Sequence, residues 1–323
     1  MGKIEVTTKV GCPLNCRVCP QSLFIKRYNE KRPWESVAPE HRPVMLTLED
    51  FKTCVDKLPP DTQVHFSAFG EPQVNPAFAD MVLYAHSTGR TIALYSTFVG
   101  MTRESYLRIR DVPFKVMVFH IPDSDGNSHF TLSDEYLDLM NLVFSDTAAG
   151  RFTITGYSCH GAMVHPVIAE ILKKNGLPVP AGHPFDHLID RAGNLKEKGL
   201  IHLEHPTGRI WCSPTGLDFN HNILLPDGTV VLCCQDFGMQ HVLGNLLTQS
   251  YEEIMGGEEI QKLRRCMESQ KNGDCLCRHC HIAQSDFEYF VKAPLLRRIS
   301  LIRRKVGLRT RIRRLFKKST RST

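Results

Sequence analysis

The 323-residue sequence has no apolar run near the roughly 18 residues that a membrane-spanning helix needs. Its opening, MGKIEVTTKVGCP, lacks the apolar segment of a secretory signal. Met1-Gly2 does not begin a convincing lipidation motif, because position 6 is Val6 rather than Ser or Thr. These absences point to the cytoplasm, where a disulfide framework is not expected. There are no internal repeats. Acidic residues are missing from Lys292 onward, a stretch with 13 Lys or Arg and no Asp or Glu. The rest of the chain holds 27 basic against 34 acidic residues, so the overall charge of +6 belongs to the tail.

Cysteine is abundant. There are 12, unevenly placed: three between Cys12 and Cys19, and seven between Cys212 and Cys280. Only Cys54 and Cys159 stand apart. Close-spaced cysteines in a cytosolic chain indicate metal or redox chemistry. A hydrophobic share of 42% and a charged share of 23% fit a globular protein of one large or two modest domains.

Residues 1–200 read as alternating strands and helices. Strands are predicted at Ile4–Val10, Thr62–Ala68, Thr91–Phe98, Lys115–Ile121 and Phe152–Tyr157, with a sixth at Ile201–Leu203. Helices are predicted at Thr47–Leu58, Pro76–Ser87, Arg103–Arg110, Ser133–Phe144 and His165–Asn175. Thr47 followed by Asp50 resembles a capping box. The expected fold is α/β, a partial (β/α)6 TIM-like barrel over residues 1–200, with functional groups at the C-terminal strand ends. A small extension follows over 201–290, where Asp227-Gly228 marks a hairpin within Ile223–Leu232 and a short helix lies at Ser250–Met255. The basic tail, 291–323, carries apolar residues at helical spacing, at Leu295, Ile299, Ile302, Val306, Leu308, Ile312, Leu315 and Phe316. Such a helix suits an anionic membrane surface, against a solvated tail as the plainer reading. Nucleic-acid binding is not expected, since neither aromatic interleaving nor a recognition motif is present.

Cys12, Cys16 and Cys19 form a C-x3-C-x2-C pattern at a strand end. Three thiolates at these offsets can wrap one face of an iron–sulfur cubane and leave one iron open. Zinc would want a fourth ligand close by, and the next candidate is His41. The spacing resembles the signature of the radical S-adenosylmethionine (radical SAM) superfamily. Phe69-Gly70-Glu71-Pro72, at the end of the second strand, resembles the Gly-Gly-Glu-Pro motif of that family, with Phe69 in place of the first Gly. Ser96-Thr97 stands where the family often has Thr-Asn-Gly. The resemblance implies a catalytic [4Fe–4S] cluster on Cys12, Cys16 and Cys19. It implies S-adenosylmethionine bound near Phe69, Gly70, Glu71, Pro72, Ser96 and Thr97. Reductive cleavage would yield a 5′-deoxyadenosyl radical, with electrons from a partner such as flavodoxin or ferredoxin.

Cys212, then 15 residues to Gly228, then four more to Cys233, resembles the opening of the SPASM and twitch extensions of this superfamily. Asp190-Arg191-Ala192-Gly193-Asn194 and Val242–Leu246 are similar to the same group, and Cys277-x2-Cys280 closes the extension. The resemblance implies an auxiliary [4Fe–4S] cluster on Cys212, Cys233, Cys277 and Cys280. Cys234 competes with Cys233, Cys266 and Cys275 remain unplaced, and a zinc ribbon is the rival reading. Cys159, Cys234 and Tyr95 are candidate hydrogen donors to a substrate radical, as is Cys266, although buried Cys is commonly structural. His65, alternating within a strand, could be a pocket or a core residue. The expected activity is oxidation or epimerisation of a sugar or other polyol. Peptide or protein modification, including sulfatase maturation, is the alternative within the class. A non-catalytic iron–sulfur sensor or metal-binding protein is the alternative outside it.

Overall fold

The computed structural model describes residues 2–30, 44–129, 131–183, 189–195, 200–205, 207–269, 275–292 and 294–295. The expected tail helix lies outside the described residues beyond Leu295. The first strand, β1 (Lys3–Val6), runs into the cysteine loop, and helix α1 (Gln21–Glu30) leaves it. Then follow α2 (Leu48–Asp56), β2 (Gln63–Phe66), α3 (Phe78–Ser87), β3 (Ile92–Ser96) and α4 (Arg103–Ile109). They are succeeded by β4 (Val116–His120), α5 (Asp134–Ala148), β5 (Gly156–Ser158) and α6 (Pro166–Lys174). The C-terminal part comprises β6 (Ile210–Cys212), β7 (His221–Leu224), β8 (Thr229–Val231), β9 (Val242–Asn245), α7 (Tyr251–Gly256), α8 (Glu258–Glu268) and β10 (Ala283–Ser285).

Several helices start where short polar side chains satisfy their free N–H groups. Thr47, Thr102, Ser133 and Ser250 each accept a backbone N–H from three residues ahead. Each such cap contributes about 1 kcal/mol. At the other end of α2, Arg90 donates to the carbonyls of Val55, Leu58, Pro59 and Thr62, so a buried cation finishes a helix.

The strands form one open sheet in the order β5-β4-β3-β2-β1-β7-β8-β9, with β1–β5 and β7 parallel. This is α/β architecture with a partial barrel wall. One face is apolar: Ile4, Val6, Val64, Phe66, Ile92, Leu94, Met117 and Phe119 share a core with Phe51, Met81, Tyr106, Met140 and Ile168 from the helices. Side chains alternate along each strand, so Glu5, His65, Tyr95 and His120 fall on the opposite face.

The sixth parallel strand differs from expectation. Ile201 makes only an isolated bridge to Ile189. The position beside β1 is taken by His221–Leu224, whose hydrogen bonds run Lys3↔His221 to Val6↔Leu224. The anticipated hairpin forms, β7 against β8, with Gly228 at φ +79 in its turn. It is therefore built into the main sheet. Among the described residues no helix is long and apolar enough to cross a membrane.

Candidate active site and metal centres

The cysteine loop hangs from the end of β1. Gly11 at φ +90 and Asn15 at φ +42 turn it, and the Cys19 N–H closes on the Cys16 carbonyl at 3.0 Å. Phe24 and Tyr28 of α1 are fully buried and fix its exit. A second loop, after β4, braces it: the Arg17 N–H donates to the Asn127 carbonyl at 2.7 Å. That brace is held by Asp123, which accepts the N–H groups of Asp125, Asn127 and Ser128 at 2.9–3.0 Å. Burial, with Cys19 nearby, pushes the Cys16 thiol up to about 12, and burial also raises Cys12. Bound metal reverses this, because a coordinating thiol is deprotonated outright.

Glu71 connects this loop to the next strand ends. It is buried and accepts from Ser96 Oγ at 2.6 Å, Thr97 N at 2.8 Å and Thr97 Oγ1 at 2.6 Å. Burial raises its carboxyl to about 7. Gly70 has a steric reason: a Cβ there would sit 3.0 Å from the Lys9 carbonyl. The Pro72 carbonyl accepts from Thr8 Oγ1 at 2.8 Å. Phe69 differs in role from its neighbours. Its ring packs 4.7 Å from Phe24 and 4.4 Å from Phe237, so the side chain is core and only the backbone borders the site.

The second cysteine set is assembled from distant places. Cys212 ends β6, Cys233 and Cys234 follow β8, and Cys277 lies within a 3₁₀ turn, Leu276–His279, that Cys280 ends. All five line one cavity of about 170 Å³. Cys233 lies within electrostatic reach of Cys277 and Cys280, and Cys277 and Cys280 of Cys212. Cys234 is within reach of Cys233 and also of Glu5, Lys3 and Arg191. Both cysteines open a turn in which the Asp236 N–H donates to the Cys233 carbonyl at 2.9 Å. The thiols of Cys212, Cys233, Cys277 and Cys280 make a donor set that fits one auxiliary cluster, with Cys234 beside it. Arg278 clamps the loop, donating to the carbonyls of His205, Gly208, Cys266 and Ser269 at 2.7–3.0 Å. Cys266 and Cys275, which the sequence left unplaced, are bonded to each other, which takes both out of the ligand set.

Sulfur spacing in neither set is that of a closed zinc site. Tetrahedral zinc with Zn–S near 2.3 Å holds its sulfurs about 3.8 Å apart. Among the described residues no three cysteine sulfurs gather within 4.8 Å of one another. Neither set is arranged for a single ion.

Between the two sets lies the polar sheet face. Lys3 and Glu5 pair at 2.6 Å, and Ser67 Oγ donates to Glu5 at 2.9 Å. His65 stacks on Tyr95 at 6.1 Å, and His120 meets His160 at 5.7 Å. Arg191 lies within electrostatic reach of both His120 and His160. Burial lowers His65 and His160 to about 4 and His120 to about 3, so these imidazoles are neutral. Tyr95 and Cys234 come together beside Lys3 and Glu5. Cys159 does not join them: its thiol donates to the Gly161 and Met163 carbonyls within the core. Sequence reasoning passed over Lys3, Glu5, His120, His160 and Arg191. A signal existed in β1 and β2, because central parallel strands buried on both faces read as continuous apolar runs, whereas these alternate with Lys3, Glu5, His65 and Ser67.

Residues 209–281 match SPASM, an iron–sulfur cluster-binding domain. The fold is similar to that of BtrN in complex with AdoMet and 2-DOIA. That likeness has 15% identity and a TM-score of 0.53, over 84% of this chain and 88% of BtrN. It is also similar to Streptococcus suis SuiB bound to S-adenosylmethionine, at 9% identity and TM-score 0.53, over 87% of this chain and 70% of SuiB. SuiB bound to its precursor peptide SuiA gives 10% identity and TM-score 0.52, over 81% and 66%. No curated protein matches the sequence. Fold and matched segment together define an α/β partial barrel with an iron–sulfur cluster-binding extension. They bear out the resemblance to radical SAM enzymes of the SPASM or twitch type.

Proposed function

We propose that the protein is a radical SAM enzyme that oxidises an alcohol carbon of a small polar substrate, a sugar or other polyol. One observation carries this reading: the cavity lined by Cys212, Cys233, Cys277 and Cys280 is also lined by Lys3, Glu5 and His221 of the sheet face. A substrate on that face would sit between the two cysteine sets. The first cluster with S-adenosylmethionine would supply a 5′-deoxyadenosyl radical, and the second would accept an electron. The chain's own residues do the rest. The substrate C–H hydrogen atom would pass to the radical that the bound cofactor supplies. The hydroxyl proton leaves to a base, for which Glu5 is placed. The remaining electron would pass to a cluster held by Cys212, Cys233, Cys277 and Cys280, giving a carbonyl. His65, His120, His160 and Tyr95 offer neutral donors and acceptors for hydroxyl groups. The likeness to BtrN, crystallised with 2-DOIA, supports a small-molecule substrate.

Cys234 favours a second reading, epimerisation. It lines the same cavity as Lys3 and Glu5, so it could return a hydrogen atom to a substrate carbon. Electrons would come from a flavodoxin or ferredoxin. Exposed Phe287, Phe290, Val291 and Leu295 adjoin the basic tail and support peripheral contact of a cytoplasmic protein with anionic membrane.

The test is anaerobic reconstitution, reduction and incubation with polyols deuterated at each carbinol position. Bound iron near eight atoms per chain and deuterium in 5′-deoxyadenosine support the reading. Solvent deuterium in an unoxidised product, lost in Cys234→Ala, selects epimerisation. Absence of deoxyadenosine from the reduced, iron-loaded protein would sink both.

A further inference from the structure

A third group of ligating side chains stands outside both cysteine sets. Residues 200–205 run between the Asp190 turn and the Cys277 loop. The Asp190 N–H donates to the Ile201 carbonyl at 3.1 Å, and the His205 N–H to the Arg278 carbonyl at 2.7 Å. In this segment His202 and Glu204 are two residues apart and lie close together. His279, inside the Cys277–Cys280 turn, comes up beside them with its ring 5.8 Å from that of His202 and nearly parallel to it.

We propose that His202, Glu204 and His279 bind a divalent transition ion of the zinc type, which ties residues 200–205 to the Cys277–Cys280 turn. Their three ligand atoms all lie within 4.8 Å of one another, unlike those of any cysteine set among the described residues. Glu204 Oε1 is 2.9 Å from His202 Nε2 and 3.7 Å from His279 Nδ1. Tetrahedral zinc with bonds of 2.0–2.1 Å places ligand atoms about 3.4 Å apart, between those two separations. Only small side-chain shifts are needed to close the site.

The hydrogen bonding is that of a prepared ligand. Asp190 is 2% exposed, and its Oδ2 lies 2.5 Å from His202 Nδ1. When that carboxylate accepts a hydrogen bond from Nδ1–H, the Nε2 atom of the neutral ring presents its lone pair to Glu204. Nε2 and the carboxylate oxygen, 2.9 Å apart, need a proton or a metal cation between them. A carboxylate behind a histidine, fixing its tautomer and raising its basicity, is the usual support of a metal-binding imidazole. Two imidazole nitrogens and one carboxylate oxygen select zinc, cobalt or nickel over calcium or magnesium. Glu204 is half exposed, so an ion can enter and keep a water as fourth ligand. None of the three residues lines the cysteine cavity. The site thus stands independently of the radical SAM reading.

The test uses the iron-loaded full chain, freed of loose metal by a mild chelator and titrated with zinc. Elemental analysis is expected to find one zinc per chain with iron unchanged. The zinc X-ray absorption edge is expected to show nitrogen and oxygen neighbours near 2.0–2.1 Å and no sulfur near 2.3 Å. Glu204→Gln, on the exposed ligand, should weaken binding at least tenfold. His202→Gln with His279→Gln should abolish it, and Asp190→Asn should weaken it about 10- to 100-fold. Sulfur neighbours, zinc taken up only as iron is lost, or unchanged binding in Glu204→Gln and in the double variant would each overturn the proposal. None of these readouts depends on S-adenosylmethionine cleavage.

Discussion

The two cysteine sets are built in opposite ways. Cys12, Cys16 and Cys19 occupy one short loop whose ends are fixed by β1 and α1, and whose turn closes on itself. Cys212, Cys233, Cys277 and Cys280 come from three separate segments. Strand pairing of β6 with β10 and the Arg278 clamp bring them together. A local loop needs little ordering of the rest of the chain before it can bind a cluster. A set drawn from distant segments must first meet the entropy of closing long loops. The first site should therefore form without the second and resist perturbation better.

The sharpest break of that comparison is Cys16→Ala. It should remove 5′-deoxyadenosine formation below detection and lower bound iron from about eight to about four atoms per chain. Cys277→Ser should lower iron by a similar amount yet leave reductive cleavage in place. Chromatography of deoxyadenosine beside iron analysis separates the two. If either variant lost both clusters, the sites would be one cooperative unit and the contrast would fail.

The same contrast explains what the sequence disclosed. The trio, Gly70-Glu71-Pro72 at the next strand end and the Thr47 cap are all local patterns, and each was legible. So was the Asp227-Gly228 hairpin. Its place in the sheet was not, because pairing of His221–Leu224 with Lys3–Val6 joins segments more than 200 residues apart. Ile201–Leu203 has equal β-propensity, but its backbone is committed to Asp190 instead. Helix α8 was overlooked although Ile260, Leu263 and Met267 are buried at helical spacing. The choice between Cys233 and Cys234 was not legible, since adjacent identical residues carry no spacing information.

Smaller changes sharpen the comparison. Arg278→Met leaves four carbonyls near the second site without their donor. The expected cost is about 3 kcal/mol, with auxiliary iron lost preferentially on gel filtration. Asp123→Ala strips the acceptor from three N–H groups in the brace of the first loop. About 2 kcal/mol in denaturant unfolding is expected, with the first cluster more labile and the second unaffected. Equal iron loss from both sites in either variant would mean that the braces act on the whole fold.

The smallest expected effect lies on the face between the sites. Burial, His160 and Arg191 together hold His120 down to about 3. In the unfolded chain the same imidazole titrates near 6.5. Between these values the unfolded state binds the proton and the folded state does not. Stability is thus full above about pH 6.5 and falls as the pH is lowered toward 3. At pH 5.5 the penalty from His120 is about 1 kcal/mol. His120→Gln keeps a hydrogen-bonding side chain and removes the titration. Its loss of unfolding free energy between pH 7.5 and 5.5 should be smaller than that of the parent by about this amount. His65 and His160 are shifted in the same direction, so the parent should remain acid-labile after that change. If His120→Gln followed the parent curve, the imidazole would already be charged in the folded protein. The sheet face would then present a cation to the substrate in place of a neutral donor.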